Sequence, residues 1–335
     1  MTTIGVIGAG AWGTALAQML ASDGREVVLW AYEPDVVAAI NAGHKNPFYL
    51  PSATLAPTIR ATGDLADFAA IDTVLVVTPA QVLGKVVSGL PRPPRDLVLC
   101  SKGIEAGTGK LMNDVAREAS PGSEIAVLSG PTFAHEVAAG LPTAVTLACS
   151  GGRAQWERLA PAIARPAFRP YYSDDVTGAE IGGAVKNVLA IACGVVDGLA
   201  LGQNARAALI ARGYAEMLRF GEALGAEVET LSGLCGLGDL VLTCSSTSSR
   251  NFSLGKALGE GARAADLMAD RRTVAEGAHT APVLAGLADK RGIAMPIVTA
   301  VNAILSGANA REVVAELLAR PLRAEIASDA KDLEA

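Results

Sequence analysis

The sequence contains few histidines, cysteines and aromatic residues, and the small numbers exclude several kinds of protein. The three histidines, His44, His135 and His279, lie far apart and lack the spacing of metal ligands. The five cysteines form no Cys-X-X-Cys pair, and an odd number without a framework is typical of small buried thiols in a reducing compartment. We therefore expect no metal site, no disulfide framework and a cytoplasmic location.

The chain also lacks an excess of positive charge and long uncharged apolar segments. Its formal net charge is -6, whereas general nucleic-acid binding requires a basic face. No uncharged apolar run reaches the roughly 18 residues of a membrane helix. A strand pattern begins within the first few residues and leaves no room for a signal peptide. We expect neither a nucleic-acid nor a membrane partner.

The first thirty residues combine a strand, a glycine-rich turn, a helix and a second strand. The β-rich run Ile4–Ile7 leads directly into Gly8-Ala9-Gly10-Ala11-Trp12-Gly13, and helix-forming residues follow before Val27–Trp30. In a GxGxxG turn the three glycines allow the tight turn, the approach of a pyrophosphate and the packing of helix on strand. The pattern therefore predicts a dinucleotide cofactor, with its phosphates on the helix amides near Ala11.

Glu33 lies about 20 residues after the last of these glycines, where an acid hydrogen-bonds the adenosine ribose. Tyr32 precedes it, and no arginine stands beside it to pair with a 2′-phosphate. This favours NAD over NADP, although the same position also suits a solvated turn residue. The sequence leaves both cofactors open.

Strand and helix patterns continue to alternate through the first half and then give way to helices. This order predicts a Rossmann-type doubly wound sheet followed by an all-α C-terminal domain. We place the boundary between residues 174 and 182, giving a dinucleotide-binding domain at 1–178 and a helical substrate domain at 179–335. The further predicted strands are Thr73–Val77, Asp96–Cys100, Ile125–Leu128, Ala144–Ala148 and Phe168–Tyr172.

Ligands of such sheets bind beyond the carboxyl ends of the strands. Lys102 follows one predicted strand and is placed to meet an anion, while Ser129-Gly130-Pro131-Thr132 follows the next. The amides around Thr132 are expected to open a helix. The alternative is that this segment is only a turn with a helix cap.

One lysine stands inside an otherwise apolar helical segment, Gly182-Gly183-Ala184-Val185-Lys186-Asn187-Val188. The two glycines lie about one turn before Lys186 and are expected to leave an indentation beside its stem. Burial lowers the pKa of a lysine from its usual value of about 10.4, so Lys186 could pass a proton to a carbonyl oxygen. The alternative is a side chain that extends to solvent from the edge of the helix.

Two polar clusters interrupt the helical half. Gly233–Leu240 is interpreted as a glycine-punctuated helix end, and its one carboxylate, Asp239, could hold the Lys186 ammonium. The segment Ser249-Arg250-Asn251 carries a guanidinium whose planar shape suits phosphate. It could equally be an exposed loop in which Asn251 caps the next helix.

Six blocks in this order resemble the bacterial-type NAD(P)-dependent glycerol-3-phosphate dehydrogenases over nearly the whole chain. They are IGAGAWGTALA from Ile7, SKGIE from Ser101, SGPTFAHEVAAGLPTA from Ser129, GGAVKNVLAIACG from Gly182, GLGDLVLTC from Gly236 and SSRNFSLG from Ser248. The resemblance implies a homodimer in the cytoplasm that supplies glycerol phosphate for phospholipid synthesis.

The resemblance also implies roles for individual residues. Lys186 would be the proton donor and acceptor. The substrate site would be formed by Lys102, Gly130, Thr132, Asp239, Ser249, Arg250 and Asn251. Cofactor contacts would be Ala11, Trp12, Tyr32, Lys102, Ala134, Arg250, Val274 and Glu276. Tyr32 replaces the histidine or basic residue frequent in relatives that prefer NADP.

Two other functions also fit the sequence. Lys102 and Arg250 could hold a carboxylate as well as a phosphate, which would suit a related hydroxyacid dehydrogenase. A non-catalytic dinucleotide-binding sensor would keep the fold and bind the cofactor without turnover. The presence of Lys186, Asp239 and Arg250 counts against the sensor.

Overall fold

The computed structural model describes residues 2–269 and 275–321. An eight-stranded sheet has the order β10-β9-β8-β7-β6-β1-β2-β5, and a separate hairpin pairs β3 with β4. The strands are β1 Ile4–Ile7, β2 Val27–Trp30, β3 Lys45–Asn46, β4 Leu50–Thr54, β5 Ile59–Thr62, β6 Thr73–Val76, β7 Asp96–Leu99, β8 Glu124–Ser129, β9 Thr143–Cys149 and β10 Phe168–Ser173.

Six α-helices and two short 3-10 helices accompany the sheet, and among the described residues after Ser173 the regular structure is entirely helical. The first six are α1 Ala11–Ala21, α2 Pro34–Gly43, α3 Leu83–Ser88, α4 Met112–Ala119, α5 Ala134–Ala138 and α6 Gly152–Ile163. The helices that follow are α7 Val176–Gly198, α8 Gly202–Ala223, α9 Val228–Ser232, α10 Asp239–Thr243, α11 Arg250–Gly259, α12 Ala264–Leu267, α13 Glu276–Lys290, α14 Pro296–Leu305 and α15 Ala310–Leu318.

This arrangement confirms the predicted fold class, a Rossmann-type sheet followed by a helical C-terminal domain. The last strand ends at Ser173 and α7 begins at Val176. The division into domains at 178/179 stays a prediction.

Two features of the sheet were not predicted. The edge strand β5 and the β3–β4 hairpin were missed, because they are short and carry no clear alternation of apolar residues. In addition, β9 runs antiparallel to β8. Only the five-residue helix α5 lies between the two strands. The chain therefore enters β9 at the edge of the sheet where β8 ends, without the long crossover that a parallel strand would need.

Helix α7 is the centre of the helical half, and its residues from Ala179 to Val196 are all buried. It is the one described helix long and apolar enough to span a membrane, and its most apolar window lies wholly inside the molecule. Its apolar composition therefore fits a core position in this structure. The five cysteines are buried as well, in agreement with the expectation of small buried thiols.

Helices α7 and α11 cross at very short distance through glycines on both sides. A Cβ on Gly255 or Gly259 would collide with the carbonyl oxygens of Ile191 and Val195, and one on Gly194 with that of Phe252. Because no side chain separates the two backbones, the start of α11 is fixed beside the middle of α7. This crossing brings Asn251, in the first turn of α11, to Asn187 on α7.

Candidate active site

The glycine-rich turn has the geometry that the sequence predicted. Gly8 adopts φ +111°, and a Cβ there would lie 2.9 Å from the carbonyl oxygen of Val77. A Cβ on Gly13 would collide with the Gly8 carbonyl oxygen, so this glycine allows α1 to pack on the strand. A Cβ on Gly10 would have no heavy atom within 4 Å. The turn is therefore closed on the protein side and open at Gly10, the residue before α1.

The predicted cofactor residues Ala11 and Trp12 form the first positions of α1. Among the described residues, the indole Nε1 of Trp12 is buried without a hydrogen-bond partner. Ala134 is the first residue of α5, which packs against α1. Val274 lies outside the described residues.

Tyr32 and Glu33 follow β2, on the far side of β1 from the strands that carry the lysine site. The Tyr32 side chain is 81 % exposed, whereas Glu33 is half-buried and accepts a hydrogen bond of 2.9 Å from the Tyr49 hydroxyl. The carboxylate of Glu33 is thus held by a side chain from the β3–β4 hairpin. Its role toward the adenosine ribose stays a prediction.

The neighbouring strands β6, β7 and β8 end at one edge of the sheet, and the predicted anion-binding segments follow them. The Lys102 ammonium donates to the Gly130 carbonyl oxygen at 3.3 Å, and the Thr132 hydroxyl donates to the same oxygen at 3.2 Å. Helix α5 begins at Ala134, two residues after Thr132, and Phe133 is its N-cap. Lys102, Gly130 and Thr132 therefore form one group, as predicted.

A single buried carboxylate joins the two lysines. Lys186 donates to Asp239 Oδ1 at 2.5 Å, and Lys102 donates to Asp239 Oδ2 at 2.8 Å. The side chain of Asp239 is fully buried, and those of Lys186 and Lys102 are 6 % and 13 % exposed. Lys186 is thus a buried, paired lysine, and the prediction that Asp239 holds it agrees with the geometry.

Burial has a direct effect on the protonation of Lys186. Removal from water lowers its pKa to about 8, and the nearby positive charge of Lys102 acts in the same direction. The negative charge of Asp239 opposes the change and raises the pKa. A lysine with a pKa close to the pH of a cell can both give and accept a proton.

Thr243 also belongs to this cluster. Its hydroxyl accepts a hydrogen bond of 2.9 Å from Lys186 and lies 3.3 Å from Asp239 Oδ1. Sequence reasoning missed it, although Thr243 lies four residues after Asp239 and so on the same helix face.

A chain of side-chain amides links four segments around the lysines. Asn187 donates to the Lys102 carbonyl oxygen at 3.2 Å and accepts from Asn251 at 2.9 Å. The amide oxygen of Asn251 accepts from the backbone N–H of Gly277 at 3.0 Å. Asn251 is therefore in the first turn of α11 with a buried, bonded side chain, and the cap of this helix is Ser249, which accepts from Phe252 N–H.

Two further predicted residues, Arg250 and Glu276, lie at the N-terminal ends of α11 and α13. Arg250 is exposed at the first position of α11. Glu276 begins α13 and accepts a hydrogen bond of 3.4 Å from Ala80 N–H, on the segment that follows β6. Burial raises the pKa of Glu276, while the positive charges of Arg250 and Lys102 lower it.

One local prediction was wrong. Gly182 and Gly183 leave no indentation, because the backbone of Cys235 packs on Gly182, and Ser129 and the stem of Lys102 pack on Gly183. The predicted helix end before Asp239 agrees with the structure, because α9 ends at Ser232 and Gly233 is its C-cap. A π-helical turn at Leu234–Gly238 then leads into α10, which begins at Asp239.

The glycine-rich turn follows β1, and Lys186, a buried lysine with a lowered pKa, lies beside the ends of the neighbouring strands. This combination of fold and site is that of a nicotinamide-dependent oxidoreductase. The family model of the NAD-dependent glycerol-3-phosphate dehydrogenase N-terminus matches residues 3–154, and that of the C-terminus matches residues 175–316. Over 327 residues the chain is 78 % identical to a glycerol-3-phosphate dehydrogenase [NAD(P)+] of Erythrobacter litoralis, covering 98 % of this chain and 99 % of the relative.

A second relative with the same description, from Novosphingobium aromaticivorans, is 75 % identical over 96 % of this chain and 98 % of its own length. The crystal structure of a glycerol-3-phosphate dehydrogenase from Coxiella burnetii superimposes with a TM-score of 0.90 at 40 % identity, covering 95 % of this chain and 99 % of that one. The chain belongs to the NAD-dependent glycerol-3-phosphate dehydrogenase family.

Proposed function

We propose that the enzyme interconverts dihydroxyacetone phosphate and sn-glycerol 3-phosphate with NAD(P)H, using Lys186 as the proton donor and acceptor. The observation that supports this most directly is the buried Lys186–Asp239 pair, with the Lys186 pKa lowered to about 8. Family membership suggests the substrate, and the geometry suggests which group moves the proton.

Lys186, Asp239 and Lys102 have separate roles in the proposed reaction. The nicotinamide, when bound, supplies or accepts the hydride at the substrate carbon. Lys186 gives its proton to the carbonyl oxygen in reduction and takes it back in oxidation. Asp239 holds the ammonium in place. Lys102 shares the same carboxylate, so Asp239 stays paired after Lys186 has lost its positive charge.

The other predicted residues are assigned to binding. Arg250 is exposed beside the site and is proposed to bind the substrate phosphate with its planar guanidinium. Gly130, Thr132, Ser249 and Asn251 line the site around it, with Asn251 held by Asn187. The open side of the Gly8–Gly13 turn suits the cofactor pyrophosphate, and Glu33 suits the adenosine ribose.

A steady-state assay of dihydroxyacetone phosphate with NADH and NADPH in parallel tests the proposal. We expect turnover with at least one of the two. Reduction of 2-oxo acids without reduction of dihydroxyacetone phosphate would instead support a hydroxyacid dehydrogenase. Nucleotide binding without turnover of either substrate would support a non-catalytic sensor.

We further propose that the enzyme is a cytoplasmic homodimer that supplies glycerol phosphate for phospholipid synthesis. These properties rest on the family alone. Light scattering of the purified protein tests the dimer, and a mass of one 34.1 kDa chain would contradict it.

A further inference from the structure

The β3–β4 hairpin lies against the glycine-rich turn through one fully buried asparagine. Asn46 has no exposed surface. Its amide nitrogen donates to the Ala9 carbonyl oxygen at 2.8 Å and to the Thr14 hydroxyl at 2.8 Å. Its amide oxygen accepts from Tyr49 N–H at 3.2 Å. The side-chain amide of Asn46 thus makes three hydrogen bonds, one to the glycine-rich turn, one to α1 and one within the hairpin.

The bond to Ala9 fixes the orientation of one peptide plane in the turn. In a trans peptide the carbonyl and the following N–H point in opposite directions. Because Asn46 and Thr14 hold the Ala9 oxygen toward the hairpin, the N–H of Gly10 points away from it. Within the described residues this N–H has no hydrogen-bond acceptor, and the space beside Gly10 is open.

The same hairpin reaches the second cofactor element. Tyr49, three residues after Asn46, donates to the Glu33 carboxylate at 2.9 Å. The two side chains therefore connect one short hairpin to both the turn after β1 and the acid after β2. These are the positions proposed for the pyrophosphate and the adenosine ribose.

We propose that Asn46 is a positioning residue for the cofactor: it holds the Ala9–Gly10 peptide so that the Gly10 N–H faces the pyrophosphate of NAD(P). The inference rests on the proposed function, which places the dinucleotide at this turn. It assigns a part of cofactor affinity to a hairpin that contains no residue of the GxGxxG pattern. Asn46 acts on the cofactor through the backbone and is not required to touch it.

Asn46→Ala tests the inference, with Asn41→Ala as a control for the loss of an asparagine that bridges backbone groups. Asn41 also bridges backbone groups in this half of the chain, exchanging two hydrogen bonds of 2.9 Å with Ala61, but it does not contact the turn. Asn46→Ala should lose more stability than Asn41→Ala, measured as the urea midpoint of unfolding, because Asn46 is fully buried and Asn41 is exposed. Only Asn46→Ala should raise the Kd of NADH, by about 5- to 100-fold, the effect of two lost hydrogen bonds.

The kinetic parameters distinguish a loss of cofactor affinity alone from a general disturbance of the active site. With saturating NADH, kcat and the KM of dihydroxyacetone phosphate should stay within about twofold of wild type, since only cofactor affinity should change. Thr14→Val, which is nearly isosteric and removes the hydroxyl bonded to Asn46 and Ala9, should raise the Kd of NADH in the same direction. This variant decides the matter if Asn46→Ala does not fold.

Three outcomes have distinct meanings. An unchanged Kd of NADH in folded Asn46→Ala, or in Thr14→Val, would overturn the positioning role. An equal rise in Asn41→Ala would also overturn it, because loosening of this half of the chain would then explain the effect. Failure of wild-type protein to bind NADH or NADPH would contradict the proposed function itself, and the inference with it.

Discussion

Lys186 is the residue on which the proposed chemistry depends most directly. Lys186→Ala should lower turnover about 10²- to 10⁴-fold, the usual contribution of a positioned acid–base group. Cofactor affinity should change little, because Lys186 bonds only to Asp239 and Thr243 in the described structure. The exposed Lys85→Ala is the control and should retain full activity. Wild-type turnover in Lys186→Ala would remove this lysine from the mechanism.

The pH dependence of the reaction follows from the same group. Reduction requires protonated Lys186, so its kcat/KM should fall as the pH rises through about 8, and oxidation should rise over the same range. Asp239→Asn removes the charge that raises the Lys186 pKa, while burial and Lys102 still lower it. The fall in the reduction profile should therefore move below pH 8. A profile measured between about pH 6 and 10 checks this, and a shift to higher pH would show that Asp239 does not stabilise the ammonium.

Arg250 tests the assignment of the substrate phosphate. A hydrogen bond to a charged group contributes about 1.5–3 kcal/mol, so Arg250→Ala should lose roughly 10- to 150-fold in kcat/KM for dihydroxyacetone phosphate. Arg250→Lys should recover only part of this, because a point charge lacks the planar pair of donors. Unphosphorylated dihydroxyacetone is the control substrate, and its poor kcat/KM should fall much less. Equal losses on both substrates would assign Arg250 to the cofactor or to the fold.

At the scale of secondary structure elements, the crossing of α7 and α11 determines whether the site forms. Gly255→Ala should reduce stability by about 1–3 kcal/mol, since its Cβ meets the rigid backbone of Ile191. Activity should fall as well, because α11 carries Arg250 and Asn251. The matched substitution Gly286→Ala in α13 meets open space and should be neutral or stabilising by up to about 1 kcal/mol.

Urea unfolding and steady-state kinetics of the two glycine variants provide the comparison. A Gly255→Ala enzyme as stable and active as Gly286→Ala would mean that the two helices separate at no cost. The predicted importance of the crossing would then be wrong.

At the scale of the whole molecule, a buried carboxyl links the sheet to the helical half and makes stability depend on pH. Glu180 on α7 accepts hydrogen bonds of 2.7 and 2.5 Å from the backbone and side chain of Asn113 on α4. Burial raises its pKa to about 7, above the unfolded value of 4.5. Its contribution to the free energy of unfolding is therefore fully present below about pH 4.5 and is lost as the pH rises through about 7.

The side chain of Glu180→Gln cannot ionise, so this variant should not lose that contribution to the free energy of unfolding as the pH rises. Relative to wild type, its free energy of unfolding should increase between about pH 5 and 8 by the order of 2 kcal/mol. Urea unfolding at several pH values measures the difference, with the exposed Glu157→Gln on α6 as the control. A difference from wild type that does not change with pH would show that Glu180 ionises without cost.

Much of the fold and site could be predicted from the sequence, because the relevant patterns are local. The GxGxxG turn between Ile4–Ile7 and α1 depends on steric demands of neighbouring residues, and the apolar runs of the central strands reflect burial on both faces. The apolar surroundings of Lys186 raised the choice between a buried ammonium and a side chain that extends to solvent, and the structure decided for burial. The sequence by itself thus determined the order of elements and the residue types available for chemistry.

Only the tertiary structure decided which distant residues meet. Lys102, Lys186 and Asp239 come from three segments, and their shared hydrogen bonds depend on the packing of α7 against β8 and α10. The same holds for Asn46, whose role is invisible until a short hairpin is placed against the turn at Ala9. The contacts on Gly182 and Gly183 overturned the expected indentation, and the backbone contact on Gly255 shows why α7 and α11 approach so closely. Long-range contacts of this kind depend on how closely two backbones approach, and periodicity along one chain carries no information about that distance.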